Sequence, residues 1–130
     1  MTGKTERIAV LNDQARREMG SASIVVMTSG VDSLSDDDKN IVLEMVQSYA
    51  AFDEDNNPHG ERDFGSICQL SNGDWTSESQ PYGKDGCNNL SHRLFWKIDY
   101  YDLSMVGLSN DPSNPEITQR VLTIMLAQEY

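Results

Sequence analysis

The sequence predicts an α+β domain: a small antiparallel sheet of three to four strands packed against two or three helices as a two-layer sandwich. Three observations carry this. The stretch 93–101 alternates in polarity with the period of a strand and 64–70 reads as a second strand, while two others place apolar residues three and four apart, as a helix does. The elements do not alternate strand and helix regularly, which argues against a parallel α/β sheet. The 130 residues suffice for one core without staples, so a single domain over 1–130 is expected.

In chain order, Ile8, Leu11, Ala15 and Met19 form the stripe of a first helix stopped by Gly20, with Lys4, Arg7, Arg16 and Arg17 giving it a basic character. The β-branched run 23–29 between Gly20 and Gly30 reads as a buried strand. Ser35-Asp36-Asp37-Asp38 is a helix start, with a capping hydroxyl and three carboxylates at the positive end of the dipole. Ile41, Val42, Met45, Val46 and Tyr49 then form a core stripe, and this helix is expected to run to Phe52. The segment 53–62, with Pro58 and Gly60, is a surface loop.

After the strand 64–70, Asn72-Gly73 and Lys84-Asp85-Gly86 bracket a long excursion from a hairpin, a loop insertion at about 71–91. In the next strand Leu94, Trp96, Ile98 and Tyr100 share the core face, while Phe95, Lys97, Asp99 and Tyr101 share a half-exposed one. Met105 to Leu108 adds a short edge strand. Asn114 as N-cap and Pro115 at the first helical position open a last helix with Ile117, Val121, Ile124 and Met125 on one stripe. Leu122, Leu126 and Tyr130 broaden that stripe enough to dock on the sheet or on a second copy, so a homodimer is open.

The stretches FWKIDYYD (95–102) and RVLTIMLAQEY (120–130) resemble a family of small uncharacterised bacterial proteins, a domain of unknown function carried often on plasmids and phages. Residues 8–13, 55–65 and 111–115 fit the same pattern, and 71–91 departs from it as an insertion. The resemblance transfers no catalytic residue. Its setting implies roles in the contest between mobile elements and host defence.

Composition excludes several classes. With 10 Lys and Arg against 21 Asp and Glu, a net charge of −11 and a pI near 4.3, direct nucleic-acid binding is excluded, because affinity there comes from cations on phosphates. No apolar run is long enough to cross a bilayer, and the polar start leads into no signal-peptide core, so a cytoplasmic protein is expected. Cys68 and Cys87 are too few for a disulfide scaffold and too far apart for a CxxC pair, which favours free thiols.

The segment 53–63 holds the densest set of potential ligands. Asp53, Asp55 and Asn57 imitate an EF-hand start, but Pro58 stands where that loop needs Gly and Phe64 where it needs Glu. His59-Gly60-Glu61 lacks the cysteines of a zinc deaminase. A looser divalent-ion site at His59, Glu61, Asp63 and Asp99, serving a small hydrolase or nuclease, is the alternative reading beside a merely solvated loop.

From Asp32 to Asp63 there are ten carboxylates against Lys39 and Arg62, a local balance of −8. Such a face keeps a protein soluble, and it also imitates duplex phosphates. Trp75 and Tyr82 either pin the excursion to the domain or serve as a binding hot spot. The leading reading is a non-enzymatic protein, with no cofactor, that inhibits a basic nucleic-acid-handling partner such as a CRISPR or restriction nuclease complex by DNA mimicry. Its expected contacts are Asp36, Asp37, Asp38, Asp53, Glu54, Asp55, Glu61, Asp63, Trp75 and Tyr82. A helper subunit without an inhibitory role has the same signature.

Overall fold

The computed structural model describes residues 3–54, 56–78 and 90–130. Asp55, Tyr82 and Cys87, and most of the proposed insertion, lie outside them. The order is α1 (Lys4–Arg17), β1 (Ile24–Met27), α2 (Ser29–Asp32), α3 (Asp36–Gln47), β2 (Phe64–Leu70), β3 (Trp75–Glu78), β4 (Leu90–Tyr101), β5 (Gln119–Leu126) and a closing 3-10 turn, Ala127–Glu129. None of the described helices is long and apolar enough to cross a membrane.

The α+β class holds, and the sheet corrects the prediction: among the described residues it has five strands in the order β1-β5-β4-β2-β3, with β1 parallel to β5 and the other pairs antiparallel. The extra central strand is β5, which replaces the expected last helix. Asn114 does cap, its Oδ1 accepting from Glu116 N at 3.0 Å, but the turn stops there. Val121, Leu122, Ile124 and Met125 are all buried, and neighbours along a strand point to opposite faces. A strand covered on both sides loses its alternation and reads as a helix.

The inner face carries Ile67, Leu94, Trp96, Ile98, Leu122 and Ile124. These join Ala15 of α1, Val31 of α2, and Val42 and Val46 of α3 in one core. Tyr49, Phe52 and Trp96 meet edge to face at 5.0–6.0 Å, the geometry that ring quadrupoles favour. On the outer face Phe64, Phe95 and Tyr130 form a second aromatic group, and Lys97 pairs with Asp99 at 2.8 Å.

Smaller corrections follow from local packing. The capping Ser35 accepts from Asp38 N at 3.1 Å, as expected, yet α3 ends at Gln47 instead of Phe52, and Arg16 of α1 donates to the carbonyls of Val46 and Tyr49 at that end. Ile41 is 38 % exposed, outside the core stripe. β1 is an edge strand with Ile24 and Val26 exposed. Residues 105–108 form a turn closed by a single bridge between Tyr101 and Leu108. The buried side of α1 is rotated from the expected stripe: it carries Ile8, Ala9, Asn12, Ala15 and Arg16.

Candidate functional site

Two polar regions stand out, one on the surface and one beneath it. On the surface, Asp36 and Asp37 in the first turn of α3, Glu44 on its outward side, and Asp53 and Glu54 beyond its end are all exposed. The helix of 12 residues separates the two ends by about 18 Å at 1.5 Å per residue. Lys39 bridges Asp32 and Asp36 at 3.6 Å each. Asp38 turns inward to accept from Trp75 Nε1 at 3.4 Å. Trp75 is half-buried in β3 and stacks on His92 with ring centroids 6.4 Å apart.

The second region lies between α1, the 56–63 segment and the inner ends of β4 and β5. Asn12, fully buried, is its hub. Its Nδ2 donates to Tyr100 Oη at 2.8 Å and to the Glu61 carbonyl at 3.0 Å, while its Oδ1 accepts from Arg120 Nε at 2.8 Å. Tyr100 passes its proton toward Glu61 Oε1 at 2.9 Å, with Asp63 Oδ2 at 3.5 Å. Arg120 lies over the Tyr100 ring and donates to the Pro112 carbonyl at 2.6 Å. Stretches 8–13, 55–65, 95–102, 111–115 and 120–130 thus all reach one cluster.

Beside it, Arg62 grips Asp13 with Nε at 3.0 Å and Nη2 at 2.7 Å. Arg62 holds φ 55°, a left-handed conformation uncommon outside Gly, Asn and Asp. The Asn57 side chain holds it there by accepting from Arg62 N at 2.8 Å. Asp13 also pairs with Arg16 one turn along α1.

Glu61 and Asp63 therefore face Tyr100 and are separate from the α3 carboxylates with which the sequence grouped them. His59 is exposed, and Asp99 lies on the opposite sheet face beside Lys97. Among the described residues no three His, Cys, Asp or Glu side chains converge as a metal set. The hub residues Asn12, Tyr100 and Arg120 escaped the sequence reading. The available signal was Asn12 falling on the same helix stripe as Ile8 and Ala15.

Burial, then the neighbouring Glu61 charge, raises the Asp63 pKa above its ordinary 3.8. Burial foremost also pushes the Tyr100 phenol up, so it remains a protonated donor. A carboxyl whose folded pKa exceeds its unfolded one costs stability at neutral pH, and the cost is relieved as pH falls through the raised value toward 3.8. Asp63→Asn is expected to abolish that gain, read as a urea midpoint less dependent on pH across this window than in the parent. Asp102, Asp111 and Glu129 act oppositely. Held low first by the hydroxyls of Ser104, Ser113 and Thr28 respectively, they lose their contribution only as pH falls through their depressed values.

The profile of a family described as "Protein of unknown function (DUF3768)" matches residues 27–129. No curated protein and no solved structure matches the chain.

Proposed function

We propose that this chain, which belongs to the DUF3768 family, is an acidic, non-enzymatic binding protein that occupies the basic surface of a nucleic-acid-handling partner. The observation that carries the reading is the disposition of Asp36, Asp37, Glu44, Asp53 and Glu54, exposed from one end of α3 to the other. Carboxylates spread along a rigid helix present charge at fixed intervals, as a phosphate backbone does, and steer a basic groove onto the protein. The half-buried carboxylates Glu61 and Asp63 are engaged with Tyr100 within the fold. That leaves the exposed set as the region available to a partner.

A second support comes from the turn after β4. Leu103, Val106 and Leu108 are 64 %, 88 % and 75 % exposed on a backbone fixed by the Asp102 carboxylate, which accepts from Ser104 Oγ at 2.7 Å and Val106 N at 3.2 Å. Apolar side chains displayed on an ordered turn suit protein contact. The partner class in this proposal is a host-defence nuclease complex of the CRISPR or restriction type. The setting is cytoplasmic and on a mobile element, and a second copy of the chain is not required.

The test uses purified nuclease complexes of both types and a labelled DNA substrate. The parent chain is expected to displace DNA and inhibit cleavage. The quadruple variant Asp36→Lys, Asp37→Lys, Asp53→Lys, Glu54→Lys is expected to bind at least about tenfold more weakly, since each exposed pair contributes up to about 1 kcal/mol. Its affinity should also depend less on salt. Equal inhibition by parent and variant removes the mimicry mechanism, and no inhibition of either complex removes the partner class.

A further inference from the structure

A groove of about 350 Å³ opens between the second half of α1 and the end of α3, lined by Asp13, Arg16, Arg17, Tyr49, Phe52 and Arg62 among others. In a chain with ten Lys and Arg and a net charge of −11, three arginines meet here against one carboxylate among the described residues. Asp13 is already spent on two of them, taking both Nε and Nη2 of Arg62 and an Nη2 of Arg16. Arg17 is exposed and makes no ion pair among the described residues.

Arg16 is the unusual member. It is 97 % buried by its 3 % exposure, its Nη1 donates to the carbonyls of Val46 and Tyr49 at 3.3 and 2.9 Å, and its Nε has no partner among the described residues. Its guanidinium lies over the rings of Phe52 and Trp96 at 5.4 and 5.1 Å. Burial foremost lowers its pKa; Asp13 opposes that shift in part, and the charges of Arg62 and Arg17 add to it. Like charges held this close repel, and a bound anion relieves that repulsion.

We propose that this groove binds a small phosphate monoester, its dianion held by Arg17 and the outer edge of Arg62 with Arg16 behind, and its apolar substituent along Tyr49 and Phe52. Three guanidiniums less one carboxylate leave a charge of +2. That matches a phosphate monoester, which carries about −1.5 to −2 at neutral pH, better than a monocarboxylate. Arginine forks suit phosphate oxygens, and the aromatic wall gives an organic substituent a place that inorganic phosphate would leave empty. The site shares no residue with the acidic outward side of α3 and stands or falls independently of it.

The experiment is a calorimetric titration of the full chain with phenyl phosphate, inorganic phosphate and benzoate at low ionic strength. Phenyl phosphate is expected to bind one to one with a Kd on the order of 1 mM, as its size allows, and at least about threefold more tightly than either control. Arg17→Gln alters an exposed side chain, so thermal unfolding should be unchanged while phenyl phosphate affinity falls by about tenfold, the effect of one charge-assisted contact. Gln47→Glu, at the groove's rim, adds opposing charge and should weaken binding likewise. Absence of heat up to about 20 mM phenyl phosphate, well past that Kd, overturns the proposal. So does benzoate or inorganic phosphate binding as tightly as phenyl phosphate, or an affinity untouched in both variants.

Discussion

Asn12→Leu is expected to remove about 3 to 5 kcal/mol of stability, the range for breaking a buried charged network from one side. Leu keeps the branched heavy-atom skeleton of Asn and has the higher helix propensity, so the loss comes from the removed hydrogen bonds together with the bulkier methyls set among polar groups. It strands Arg120 Nε, which donates to Asn12 Oδ1, and leaves the Glu61 carbonyl and Tyr100 Oη each without an Asn12 donor. Arg120 itself is 4 % exposed, so water does not replace the lost acceptor. For a domain of this size total stability is about 6 to 20 kcal/mol, and the variant should lose a large share of it. Urea unfolding followed by tryptophan fluorescence measures this. Asn40→Leu on the exposed side of α3 is the control, with an expected change within about 0.5 kcal/mol. In a double-mutant cycle, Tyr100→Phe should cost much less on the Asn12→Leu background than in the parent, since the two residues share one bond. Strict additivity, or a loss no greater than that of Asn40→Leu, contradicts the role of Asn12 as hub.

What was legible in the chain tracks how one-sided each element is. β4 reads correctly because Leu94, Trp96 and Ile98 bury on one face while Phe95, Lys97 and Asp99 remain half-exposed on the other, which preserves a period of two. The start of α3 was legible because the cap is local: Ser35 and Asp38 are three residues apart. β5 was not, since side chains on both of its faces are buried, Leu122 and Ile124 on one and Val121 and Met125 on the other, which erases the alternation that marks a strand. Its partners supply the decisive information, and no window of the sequence contains them.

The same distinction separates the two polar regions. The α3 carboxylates are adjacent in sequence and needed only counting. The Asn12 hub joins residues as far apart as Arg120, 108 positions away, and Tyr100, 88 positions away. Glu61 and Asp63 were visible as acids, but their environment was not. The Arg62–Asp13 pair and the bond from Asn12 Nδ2 to the Glu61 carbonyl hold that segment against α1, with the Asn57 side chain fixing the Arg62 backbone turn. Arg16 looked like a surface cation by type and is interior by position, because α1 buries a side set by Ala9, Asn12 and Arg16 as well as by its aliphatic residues.

Gly65→Ala should be about as costly, for the opposite reason: it adds an atom where none fits. A Cβ at Gly65 would fall onto Trp96 Nε1, 2.7 Å from Trp96 Cε2 and 2.5 Å from Tyr49 Cζ, well inside van der Waals contact. Neither ring can withdraw. Trp96 is fully buried between Tyr49 and Phe52, and Tyr49 is tied by its hydroxyl, which accepts from Asn56 Nδ2 at 3.0 Å and from Ser66 N at 3.2 Å. The strain must pass into β2 or the end of α3, at a cost of about 3 kcal/mol, the upper part of the range for overpacking. The control is Gly73→Ala in the β2–β3 turn. There φ is 96° and, among the described residues, nothing lies within 4 Å of an added Cβ, so only backbone strain of about 1 kcal/mol is expected. Both losses are read from urea midpoints. Trp96 is the reporter that separates them, because Gly65→Ala should shift the native tryptophan emission while Gly73→Ala leaves it unchanged. If Gly65→Ala matched Gly73→Ala in cost and left the emission in place, the contact of β2 with the Tyr49–Trp96 pair would be looser than the structure places it. The strand would then not be what fixes the end of α3 against the sheet.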